Sequence, residues 1–200
     1  MGEYLRLLTT NDQEIPLATL QRAVPFCAVW PIDNPDGSGS PQLAIGPEPN
    51  SSGRIWAIVE RDEVGEGTLG ADEVAEFRES LQLGGPPSAV LWLHDYLGRV
   101  RAIYAIHLRP DTIQDDPDAI RAIGMIREAL RGVVGGIMEY DDFGFTNESG
   151  RVIWLIPRVT PEGKLDVARL DESTGEWISD SLNLSDSARL SEFLSGRTSA

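Results

Sequence analysis

Apolar and polar residues alternate over residues 3 to 9, a two-residue period that predicts a β-strand. From Ile15 to Val24 the spacing becomes that of a short helix with Pro16 in its first turn, and Pro25 then forces the chain out. Phe26 to Ile32 reads as a strand from its aromatic and β-branched content. The run Asn34-Pro35-Asp36-Gly37-Ser38-Gly39-Ser40-Pro41 closes it as a concentrated turn signal. Leu43 to Ile45 makes a short strand. Arg54 to Glu60 makes a longer one with apolar residues on both alternating faces, the pattern of a central strand covered on both sides.

Helical spacing returns at Ala71 to Leu83, with Val74, Phe77 and Leu81 on one stripe and Gly84-Gly85 as the stop. Residues 88 to 97 are hydrophobic enough for a strand. Ala89, Leu93, Tyr96, Leu97 and Val100 nevertheless fit a helical period behind Pro86-Pro87, so helix is the preferred reading. Arg101 to Leu108 is a second strand of the central type. Asp116-Pro117-Asp118 then combines a capping aspartate, a first-turn proline and an acidic charge, and predicts a helix to Arg131 with Ile120, Ile123, Ile126 and Leu130 buried. Val134 to Tyr140 and Arg151 to Ile156 form a hairpin about the turn Thr146 to Gly150. Leu165 to Leu170 pairs with Trp177-Ile178, and a last helix covers Ser185 to Leu194.

These elements predict an α+β fold with mixed or antiparallel sheets and helices packed on one face. A repeat refines the picture. Ser52-Gly53-Arg54-Ile55 matches Ser149-Gly150-Arg151-Val152 at an offset of 97, Arg61 falls opposite Arg158, and Asp95-Tyr96-Leu97 falls opposite Glu192-Phe193-Leu194. The expectation is a tandem duplication of a β-α-β-β(-β)-α unit, with halves at 3–99 and 100–197, either as two similar units or as one continuous domain. A competing match of Glu76-Phe77 to Glu192-Phe193 has an offset of 116.

Charge changes the list of partners. Thirty-two acidic against 17 basic residues give a formal charge of −15, the wrong sign for phosphates, so neither nucleic acid nor an anionic membrane surface is expected. A protein partner, basic in character, or self-association remains. No stretch reaches the roughly 18 apolar residues of a membrane span. Cys27, the single cysteine, sits in the apolar run Phe26 to Trp30 and reads as a small buried hydrophobe. With no disulfide partner it fits a reducing cytoplasm.

Candidate chemistry is sparse. His94 and His107 are the only histidines and lack metal-ligand spacing. His94 beside Asp95 suggests a base and its orienting acid, although neighbours on a helix point apart. Glu139, Asp141 and Asp142 gather at a strand end, too few for a hard cation, so no metal and no cofactor is expected. Gly65, Gly67 and Gly70 match a dinucleotide-type glycine pattern, but Glu60, Asp62, Glu63 and Glu66 would repel a pyrophosphate and the stretch reads as a glycine-rich connection. Trp56 and Trp154 are expected in the core, whereas Trp30 and Trp177, beside turns, are the contact candidates.

These observations favour a non-catalytic protein-binding module. The alternative is a small-molecule binder or an enzyme that uses a cleft between the halves, with His94, Asp95, Glu139 and Asp141 as its polar groups.

Overall fold

A computed structural model describes residues 4–32, 42–49, 54–113, 116–141, 143–156 and 162–196. The strands are β1 (Tyr4–Thr9), β2 (Ala28–Ile32), β3 (Gln42–Gly46), β4 (Ala57–Glu63), β5 (Ala102–Leu108), β6 (Ile137–Tyr140), β7 (Gly144–Thr146), β8 (Val152–Leu155), β9 (Lys164–Leu170) and β10 (Trp177–Asn183). The helices are α1 (Leu17–Ala23), α2 (Leu69–Ser80, continued by a 3-10 turn over Leu81–Leu83), α3 (Pro87–Leu97), α4 (Pro110–Ile113), α5 (Pro117–Val134) and α6 (Ser187–Ser195). All ten strands join one sheet in the order β10-β9-β8-β7-β6-β1-β5-β4-β3-β2. Every pairing is antiparallel except β8 with β9, so the fold is α+β with a mixed sheet.

Helices cover both faces of this sheet, not one. The reason lies in the central strands, which are apolar at successive positions and expose hydrophobic area on both sides unless both are covered. On one face α1 and α5 bury Leu20, Val24, Ala122, Ile126 and Leu130 against Leu7, Val59, Tyr104, Ile106 and Met138. On the other, α2 and α3 bury Val74, Leu81, Leu93 and Leu97 against Leu8, Ile103, Ile137, Phe145 and Trp154. Helix α6 completes a smaller cluster through Phe193 on Val167 and Leu182.

The duplication is not confirmed. Although β1 and β5 both open a sequence half and lie side by side, the strand orders around them differ. β5 is flanked by β4, the last strand of the first half, whereas β1 is flanked by β6, the second strand of the other half. The matched blocks are therefore not in equivalent positions: β4 adjoins the central pair and β8 lies beyond β6 and β7. Ser52, Gly53 and Arg158 of those blocks, and the turn at 34–41, lie outside the described residues.

Local signals explain most boundaries. The Asp116 carboxylate accepts from the amides of Asp118 (3.1 Å) and Ala119 (3.3 Å) and caps α5 behind Pro117. Asp116→Ala should therefore cost about 1 kcal/mol in chemical denaturation, and an unchanged midpoint would show the cap to be dispensable. The buried stripe of α5 is rotated from the expected one. Ala119 and Ala122 lie inside while Ile120 is 62% exposed, because small residues let α5 approach the sheet and leave the isoleucine outside. The expected hairpin of 134–140 with 151–156 is a three-strand meander, since the short β7 inserts between them. Its turn to β8 is held by the buried Asn147, whose Oδ1 accepts from the amides of Ser149 and Arg151, both at 3.0 Å.

Candidate functional site

The central strand β1 carries a charged residue, Arg6, between apolar neighbours. Its register places Arg6 opposite Glu139 on β6 and opposite Ala105 on β5. Helix α2 crosses the same face and brings Glu73 to it. The Arg6 Nη1 donates to Glu139 Oε2 at 2.9 Å and lies 3.6 Å from Asp141 Oδ1, while Nε forms an ion pair with Glu73 Oε1 at 2.5 Å. The guanidinium also lies over the Tyr4 ring (4.6 Å to its centre) and the Phe77 ring (5.7 Å).

Beside this cluster opens a cavity of about 270 Å³ whose polar rim is Glu73, Glu76 and Asp141 and whose apolar wall is Phe77, Phe143, Phe145 and Trp154. The lining comes from both sequence halves. Phe145 stands edge-on to Phe77 (5.7 Å) and to Trp154 (5.6 Å), and the Trp154 Nε1–H donates to the Gly84 carbonyl at 2.7 Å. The aromatic wall is thus fixed by packing and a hydrogen bond.

Electrostatics separate the members of the cluster. Burial, the largest effect, pushes the Glu139 carboxyl up to about 7 despite the attraction of Arg6. Glu73 is also raised, again chiefly by burial. Arg6 is opposed by its own burial, but the three carboxylates outweigh it and hold the guanidinium charged. A carboxyl whose folded value lies above its ordinary 4.5 binds its proton more tightly in the native state. Its contribution to stability is therefore complete below about pH 4.5 and is lost as pH rises through about 7. Glu139→Gln should flatten the fall in melting temperature between pH 5 and pH 8, leaving a residual slope from Glu73. Identical slopes in the variant and wild type would show that Glu139 is already ionised at pH 5.

The structure sorts the candidates named from sequence. Glu139 and Asp141 meet on Arg6, while His94 and Asp95 on α3 do not line this cavity. Asp95 is exposed and pairs with Arg99 one helical turn on, at 3.0 Å, instead of orienting His94. His107 stacks on Tyr4 with ring centres 4.4 Å apart, and burial pushes the Cys27 thiol up to about 11, away from nucleophile chemistry. Trp30 and Trp177 are half-buried. Trp177 packs edge-on against Trp92 of α3 (5.2 Å), and Trp30 lies over Gly46 of β3. The glycine-rich stretch before α2 is a tight turn in which Thr68 Oγ1 accepts from Gly65 and Ala71 amides, and a side chain at Gly70 would meet the Glu63 carbonyl.

Arg6, Glu73 and Phe77 are the site residues that sequence reasoning missed. The available signal was a lone arginine at the centre of an otherwise apolar strand, a position that demands a buried partner. Among the described residues no group of three or more His, Cys, Asp or Glu side chains is arranged around a metal position, and the carboxylates surround a guanidinium instead. No helix among the described residues is long and apolar enough to cross a membrane. No protein-family model, curated protein or solved structure matches the chain.

Proposed function

We propose that this chain is a cytoplasmic, non-catalytic binding protein that docks a protein partner at the cleft between α2 and the β6–β7 hairpin. One observation carries the reading. The cleft presents a rigid aromatic wall beside a polar rim, and its charged groups are engaged with one another as ion pairs instead of being set out as nucleophile, base and orienting acid. The −15 charge argues against nucleic acid as the partner. Self-association is the other protein-level use of such a surface.

The second reading is a small-molecule site or an enzyme in the same cleft. The position of Glu139 near 7 favours it, because a carboxyl that titrates there can take or give a proton at physiological pH. Capture from the native cell on immobilised wild-type protein and on a Glu76→Lys variant separates the two. Glu76 is exposed on the rim, so charge reversal leaves the core intact. A protein retained by the wild type and lost by the variant supports the docking reading. Native mass spectrometry that finds a stoichiometric small molecule and no protein would replace it.

A further inference from the structure

We propose that the group the α2/β6–β7 cleft receives is a cationic side chain, an ammonium or guanidinium borne by a basic segment of the partner. This inference rests on the docking reading and names the chemistry of its ligand. The argument starts from charge count. Among the described residues, Glu73, Glu76, Glu139 and Asp141 line the cavity with Arg6 as the only base, so the carboxylates there are undercompensated. Burial is the main cause that holds the protons of the two inner carboxyls above their ordinary range even though Arg6 touches both, and the neighbouring carboxylates add a smaller repulsion. A second positive charge in the cavity relieves it.

An anion would meet four carboxylates and a neutral apolar group would leave the rim charges desolvated, so both are disfavoured. The wall supplies the second half of the recognition. Phe77 already accepts the Arg6 guanidinium on its ring, and the half-buried Phe77 and Phe143, backed by the buried Phe145 and Trp154, offer an aromatic surface suited to the methylene stem or the charged face of an arginine or lysine. A volume of about 270 Å³ holds one such side chain and not a globular surface.

Cation uptake is coupled to the proton on Glu139. The charged groups facing it are Arg6 from β1, Glu73 from α2 and Asp141 beyond the end of its own strand, while β7 offers the apolar Phe145. Ionised Glu139 attracts the incoming cation and protonated Glu139 does not, so affinity rises as pH increases through about 7.

The probe is a capped Gly-Arg-Gly-Arg-Gly peptide titrated into the full chain, followed by calorimetry and by amide NMR shifts, with the citrulline-substituted peptide as the uncharged control. The expected result is saturable binding that perturbs the amides of Glu76, Asp141 and Phe145 and is at least about tenfold weaker for citrulline. Affinity should also fall several-fold in Glu76→Gln and rise on the order of tenfold from pH 6 to pH 8, a rise absent in Glu139→Gln. Equal binding of the two peptides, shifts that map elsewhere, or no saturable binding would overturn the inference. Failure of the docking reading looks different. Peptide binding with these signatures but no captured protein would leave the cation site standing and remove the protein partner. Capture that Glu76→Lys abolishes, without peptide binding, would overturn the cation site alone.

Discussion

Replacing Trp154 with alanine is expected to lower stability by about 3–5 kcal/mol, measured by chemical denaturation monitored by circular dichroism. The indole is 2% exposed and lies where β8 meets the connection between α2 and α3. Its ring packs against Phe145, and its Nε1–H satisfies the Gly84 carbonyl. The neighbouring Gly85 has a φ of +73° and any side chain there would run into the indole, so backbone and ring are fitted to each other. Truncation removes apolar contacts, leaves a void that this backbone closes poorly, and strips the partly buried Gly84 carbonyl of its donor. The cavity wall beside Arg6 would loosen with it. A variant that unfolds at the wild-type midpoint would show that the ring contributes nothing to the core.

Arg6→Ala is expected to cost about 3–5 kcal/mol at pH 8, because it leaves the 95%-buried Glu139 and the partly buried Glu73 facing each other without their shared cation. The sign of the pH dependence is specific. Removal of Arg6 raises the Glu139 carboxyl still further, and protonation below that value discharges the uncompensated group. The deficit should therefore shrink as pH falls from 8 to 5. Thermal melts of wild type and variant across that range check it, and a deficit that is constant with pH would show that Arg6 acts through packing of its stem on Tyr4 and Phe77 and not through its charge.

Much of this architecture can be read in the sequence because its signals are local. Asp116-Pro117-Asp118 specifies a helix start through groups three residues apart, Gly84-Gly85 ends the α2 segment, and Asn147 builds its own turn. The apolar runs at residues 54–60 and 101–108 implied strands covered on both faces, yet the fold expected from the elements put the helices on one face, and the structure places them on both. Glu139 and Asp141 could be singled out because they share a strand end, two residues apart.

Only tertiary structure decided the rest. Strand order depends on pairings across more than a hundred residues, such as β1 with β6, and no local propensity encodes which edges meet. That is why matched blocks 97 residues apart suggested a repeat that the sheet order does not reproduce. The choice of Ala119 and Ala122 over Ile120 for the buried side of α5 followed from how closely the helix approaches the sheet, a distance that periodicity does not contain. The site shows the same division. His94 and Asp95 are adjacent in the chain and Asp95 pairs with Arg99 instead, whereas Arg6, Glu73 and Glu139, the last two 67 and 133 positions from Arg6, form one ion-paired cluster. Charge pairing acts through space and burial sets its strength, so the chain's composition determined that the protein is acidic, and the fold alone determined where a carboxyl is held near neutral pH.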